Sequence, residues 1–218
     1  MNTQSNRSAV LQRILSGLLT AYFVFCMWTL YAIGGQANLV KLRVFLVSLL
    51  LLFILERLFY HGQEGTGKRS GGWLRFFILY TWYSLLITCL LFYLWHPLDN
   101  RFGFMCGLVL ISLGLGMRLW SVHVLGKYFS TQVEIWQGQI VVESGPYRYI
   151  RHPAYLGSLL MAIGYPLFMN TWGVLFLSMI FILLLILRIR EEEAVLQEQL
   201  SGYTAYCLRT KRLLPGVW

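Results

Sequence analysis

Apolar positions in this chain fall into long unbroken blocks rather than alternating faces. One block spans roughly residues 14–33, and a second spans 42–55, reaching Tyr60 if Glu56 and Arg57 lie at an interface. A third runs from Trp73 to Trp95 with an aromatic at each end, and a fourth from Phe102 to about Leu125, interrupted by Arg118. Each is near the ~20 residues a helix needs to cross ~30 Å of hydrocarbon, and terminal aromatics suit the membrane interface. The last block, Tyr155 to Leu187, is too long for one crossing, and Met169-Asn170-Thr171 at its middle predicts a helical hairpin. Beyond it, Leu196, Leu200, Tyr203 and Cys207 recur at helical spacing, which predicts an amphipathic helix ended by Pro215, with Trp218 as an anchor. The expected architecture is all-α: a polytopic membrane bundle of five to six transmembrane segments, hairpin included, plus that C-terminal amphipathic helix.

Composition agrees. The chain is 57% hydrophobic and only 12% charged, against about 25% charged in soluble domains. A soluble fold of 218 residues could not hide that much apolar surface. The first block is too long for a signal-peptide core and no small-residue cleavage site follows it, so a retained helix is expected.

Charge sets an orientation. With the N-terminus in the cytoplasm, Arg7, Arg13, Arg57, Lys68, Arg69, Arg75, Lys127, Arg148, Arg151 and the basic tail all lie inside. Lys41, Arg43 and Arg101 stay outside, and the hairpin tip carries no charge. The expectation is a multi-pass integral membrane protein with both termini and the active site on the cytoplasmic side. The net charge of +9 then suits anionic lipid and needs no nucleic acid.

Cys26, Cys89, Cys106 and Cys207 are scattered without metal or redox spacing, and His61, His96, His123 and His152 form no HxxxH pattern, so no metal is expected. Neither a GxGxxG after a strand nor a P-loop is found, which excludes the soluble nucleotide-binding folds.

Polar chemistry divides the chain. Residues 1–125 form the N-terminal transmembrane helices, and 126–218 carry two polar blocks, Lys127–Tyr155 and Arg188 to the end. A hairpin that leaves and re-enters one face returns the second block to the first. In block one Gly145-Pro146 marks a turn. Pro153 suits a first helical position, which puts His152 where free backbone N–H groups favour an anion. A basic juxtamembrane anchor with Tyr147, Tyr149 and Tyr155 as interface aromatics is the plainer interpretation. In block two Arg188 and Glu192 share a helix face one turn apart. An exposed intrahelical pair is again the plainer interpretation, but Arg before Glu is the poorer order for helix stabilisation.

At these blocks the sequence resembles the isoprenylcysteine carboxyl methyltransferase family over roughly Arg118 to Trp218. The matching pieces are Leu125-Gly126 with Phe129, then Val142 and Ser144-Gly145-Pro146-Tyr147, then Arg151-His152-Pro153-Ala154-Tyr155-Leu156-Gly157. Arg188 follows with Glu192-Glu193, Leu196, Gly202, Tyr203, Tyr206, Arg209 and Arg212-Leu213-Leu214-Pro215. The resemblance implies a helical bundle whose C-terminal part encloses S-adenosylmethionine. It implies cofactor contacts at Tyr147, His152, Pro153, Ala154 and Tyr155, an adenosine-holding run at Gln139, Ile140, Val141 and Val142, and a polar contact at Glu134. Glu192 would face the cofactor, and Arg188 would bind the acceptor's carboxylate. The implied partners are the bilayer and a lipophilic acceptor, such as the carboxylate of a prenylated cysteine or a related lipid-like acid.

The chemistry is consistent. Methyl transfer from a sulfonium is an in-line displacement in which positioning dominates, and a carboxylate acceptor is ionised near neutral pH without a base. The arginine fork matches a carboxylate at two points, and an aromatic face attracts a sulfonium. Two alternatives stay open. A membrane sterol or enone reductase using NADPH shares an Arg-His-Pro and tyrosine pattern, but has an Asp pair and a Trp where this chain has Glu192-Glu193 and Tyr203. A scaffold or transporter would account for Arg118 inside an apolar block.

Overall fold

A computed structural model describes residues 41–48, 50, 72–95, 100–129, 135 and 138–214. The chain divides into two units, residues 1–57 and 58–218. In the first, 41–48 and 50 are helical; the rest of the expected second segment, and all of the expected first, lie outside the described residues.

In the second unit, α1 is Gly72–Trp95, α2 Arg101–Leu125, α3 Pro153–Phe168, α4 Leu175–Gln199 and α5 Tyr203–Arg209. No strand occurs among the described residues. The third, fourth and last apolar blocks thus become helices within a residue or two of their expected starts. Three apolar stretches, Phe76–Leu94, Arg101–Tyr128 and Trp172–Gln199, are long enough to cross a bilayer. The 16 residues of α3 span only ~24 Å. The outward faces suit lipid: Phe76, Tyr80, Tyr83, Ile87, Leu91 and Leu94 are exposed on α1, and Phe176, Met179, Leu183 and Leu187 on α4. Exposed apolar stripes of this length are foreign to soluble monomers. The protein is an all-helical, multi-pass integral membrane bundle.

The starts of α2 and α3 have local reasons. Asn100 caps α2 through Oδ1, which accepts from the N–H groups of Phe102 (3.0 Å) and Gly103 (3.2 Å). α3 starts on Pro153, as expected. α2 and α3 run together in close contact because glycines line the seam. A Cβ at Gly107 would sit 2.2 Å from the Phe168 nitrogen, and one at Gly157 2.5 Å from the Gly114 oxygen. Trp82 of α1 packs against Tyr165 of α3 and Phe181 of α4, with ring centroids 6.0 and 5.1 Å apart.

The hairpin turns at Met169-Asn170-Thr171, as expected. Asn170 adopts φ 56° and is buried, as is Thr171. Pro166, inside α3, has no N–H to offer the Ala162 carbonyl four residues back. The Ser178 hydroxyl of α4 donates to that carbonyl instead, at 2.6 Å. The expected C-terminal amphipathic helix is present as α5, separated from α4 by a break at Ser201-Gly202, where Gly202 takes φ 84°. Tyr203 and Tyr206 form its buried face and cluster with Leu200, just before the break. Pro215 and Trp218 lie outside the described residues.

Candidate functional site

The inward stripe of α4 builds the site. Ser178, Phe181 and Leu185 are buried along it, and the same face continues into Arg188, Ile189 and Glu193. Charged residues therefore enter the core without any change of face. Arg188 is 3% exposed and Glu193 2%, so neither belongs to a solvated helix surface.

The hairpin brings α4 back to the start of α3. The Tyr155 hydroxyl donates to Glu192 Oε2 at 2.6 Å, and Arg188 also lies within bonding reach of that hydroxyl. Arg188 Nη1 is 3.8 Å from Glu191 Oε2. The expected Arg188–Glu192 face is thus real, with Tyr155 as the third member. His152 is buried at the foot of α3, its ring centroid 5.6 Å from that of Tyr155.

Tyr147 arrives from the other side. It lies in the 3-10 turn Gly145–Arg148 and is buried; its carbonyl accepts a 2.6 Å bond from the Tyr206 hydroxyl. Burial, then the negative charge of Glu192, pushes the Tyr147 phenol above its ordinary range, while Arg118 acts in the opposite direction. Arg118 donates to Ser158 Oγ at 2.7 Å, so the arginine inside the apolar block is turned toward α3.

The structure brings together Tyr147, His152, Pro153, Ala154, Tyr155, Arg188 and Glu192 at one end of the bundle. Residues 139–142 lie outside any helix, in the run before the turn. Ile140 is exposed, and Val141 packs on the Leu200–Tyr203–Tyr206 cluster. Glu134 lies outside the described residues.

A second group escaped sequence reasoning. Glu193 Oε1 accepts from Arg151 Nε at 2.7 Å and lies 3.2 Å from His152 Nε2, while Oε2 accepts from Arg212 Nε at 2.6 Å. Arg151 Nη1 also donates to the Cys207 carbonyl at 3.1 Å and to the Thr210 carbonyl. Burial opposes the Arg151 charge, but its bonds to Glu193 outweigh that and raise its pKa. Two backbone bonds run alongside: the Arg151 N–H to the Lys211 carbonyl (2.8 Å) and the His152 N–H to the Arg212 carbonyl (3.0 Å). The doublet Glu192-Glu193 was the visible signal, but nothing in it said that its members point to different partners.

Among the described residues no three histidine, cysteine or acidic side chains gather as a metal site. The donor set suits S-adenosylmethionine. A half-buried carboxylate, Glu192, and a buried arginine, Arg188, set opposite charges beside one tyrosine hydroxyl. Tyr147 and Tyr155 offer aromatic surface beside them.

Residues 106–198 match the profile of the isoprenylcysteine carboxyl methyltransferase family. The chain is 34% identical over 91 residues to the uncharacterized protein YpbQ of Bacillus subtilis (strain 168), 41% of this chain and 54% of that protein. It therefore spans about half the length of that relative. Among solved structures, the eukaryotic intramembrane Ras methyltransferase ICMT (isoprenylcysteine carboxyl methyltransferase) shares the fold, with a TM-score of 0.64. That likeness covers 100% of this chain and 88% of the other at 16% identity. The matched stretch contains both the Arg151–Gly157 motif and Arg188–Glu192, so residues 106–198 are similar to the isoprenylcysteine carboxyl methyltransferase family, and the fold of that methyltransferase is shared over the whole chain.

Proposed function

We propose that the protein is a membrane S-adenosylmethionine-dependent methyltransferase acting on a lipophilic carboxylate, with the carboxylate of a prenylated cysteine or a related lipid-like acid as acceptor. The observation that carries this reading is the contact between Tyr155 and Glu192, beside a buried Arg188. It puts an anion-binding and a cation-binding side chain around one hydroxyl. When bound, S-adenosylmethionine supplies an electrophilic methyl: the acceptor oxygen forms the new C–O bond as the C–S bond breaks and its electron pair returns to sulfur.

The chain's own residues orient and shield. Glu192 accepts from the cofactor's ammonium group, the Tyr155 hydroxyl keeping its second oxygen in place. Arg188 holds the acceptor carboxylate through its planar fork. Burial strengthens both attractions by excluding water. Tyr147 and Tyr155 present aromatic surface to the sulfonium, and the foot of α3, His152 to Tyr155, meets the cofactor's carboxylate through the backbone N–H groups of Ala154 and Tyr155. The run Gln139 to Val142, with Glu134 upstream, holds the adenosine part. Residues 126–218 supply this chemistry, and 1–125 the membrane frame. Both termini and the site face the cytoplasm.

The test is methyl transfer. Purified protein in detergent, given methyl-labelled S-adenosylmethionine and a prenylated cysteine, should release a base-labile methyl ester. NADPH consumption with an enone substrate, and no methyl transfer to any lipophilic acid, would replace this reading with the reductase.

A further inference from the structure

Glu192 and Glu193 are consecutive on α4 yet serve different elements. Glu192 meets Tyr155, in the first turn of α3. Glu193 gathers Arg151, His152 and Arg212, which come from the turn before α3 and from the chain after α5. Between them run the two backbone bonds from Arg151 and His152 to Lys211 and Arg212. Three chain segments are therefore tied at one buried carboxylate.

We infer that Glu193 is a positioning residue of the site: a clasp that fixes the foot of α3 against α4, and so sets the alignment of Tyr155 with Glu192. The geometry carries this beyond simple stability. His152, whose ring lies beside Tyr155, is the residue through which the clasp touches the site. Arg151 and Arg212 carry fixed positive charge, and a carboxylate answers both at once through its two oxygens. An amide carries no charge and turns its NH2 donor toward one of the two guanidinium groups, so it cannot hold both in these positions. Released from Glu193, the foot of α3 keeps its helix but loses its register against α4. The inference rests on the cofactor reading given above.

Glu193→Gln is nearly isosteric, and the measurement is calorimetric titration with S-adenosylhomocysteine in detergent. A role in stability alone would lower the fraction of protein that binds and leave the affinity of the remainder unchanged. A positioning role weakens affinity at unchanged stoichiometry, here by about tenfold or more, since small misplacements at a site cost that much. Limited trypsin digestion without ligand gives a second readout: Glu193→Gln should be cut after Arg212 faster than wild type. If the Gln protein precipitates, Arg212→Gln takes its place. It removes one partner from the half-exposed side and should weaken binding several-fold at full stoichiometry. Wild-type binding matched by either folded variant overturns the clasp alone. Absence of binding by wild type overturns the cofactor reading, and the clasp with it.

Discussion

At the scale of single residues, one hydroxyl organises the chemistry. Tyr155 touches Glu192 at 2.6 Å and lies within reach of Arg188, so removing either charge should have its own signature. Arg188→Lys keeps the charge but loses the planar fork. Turnover should fall sharply while cofactor affinity changes little, as read from steady-state kinetics beside a binding titration. Glu192→Gln should instead weaken the cofactor by about 1–3 kcal/mol, the cost of leaving a charged partner unanswered. If both variants keep wild-type affinity and turnover, the pair plays no part in catalysis. Arg188, Glu192 and Tyr155 were legible before the fold was known, because their motif and helical spacing are local properties. Glu193 with Arg151 and Arg212 was not. Its partners lie 42 residues before it and 19 after it, and no local pattern states which of two adjacent carboxylates turns which way. Val141 shows the opposite difficulty, since its packing against α5 could not be told from a ligand contact by its position before the turn.

Among the elements, the α2–α3 seam decides how close the hairpin stands to its neighbour. At Gly157 an added Cβ would lie 2.5 Å from the Gly114 oxygen and 2.8 Å from the Arg118 nitrogen, both backbone atoms that cannot swing away. Gly157→Ala should therefore force α2 and α3 apart, at a cost of about 1–3 kcal/mol, seen as a lower Tm in detergent. The same substitution at Gly116, where an added Cβ would meet nothing within 4 Å, should leave Tm unchanged. Equal Tm values for the two variants would show that the seam tolerates separation. Helix starts and the hairpin turn were legible in the sequence because interface aromatics, a proline and a polar interruption mark them. The break between α4 and α5 was hidden. The spacing of Leu196, Leu200, Tyr203 and Cys207 passes smoothly through it, and only the positive φ of Gly202 reveals that the chain turns there.

At the scale of the second unit, the described residues are inverted relative to a soluble protein in one respect: the longest exposed stripes are apolar, and the charges of Arg188 and Glu193 are buried at one end. Basic residues predict that this end faces the cytoplasm, with the hairpin tip opposite. Asn170 and Thr171 at the tip are fully buried, so neither is a useful labelling position. Gly173 is exposed, with open space around it. Gly173→Cys, in a background lacking the native cysteines, should react with a membrane-impermeant reagent from the outer side only, and labelling confined to the cytoplasmic side would reverse the orientation. The central claim is that the polar end of α3 and α4 holds S-adenosylmethionine, and calorimetric titration of the purified protein with S-adenosylhomocysteine tests it most directly. The account predicts saturable binding at one site per chain, weakened about fivefold to 150-fold in Glu192→Gln. No binding of S-adenosylhomocysteine, together with saturable binding of NADPH, would contradict it.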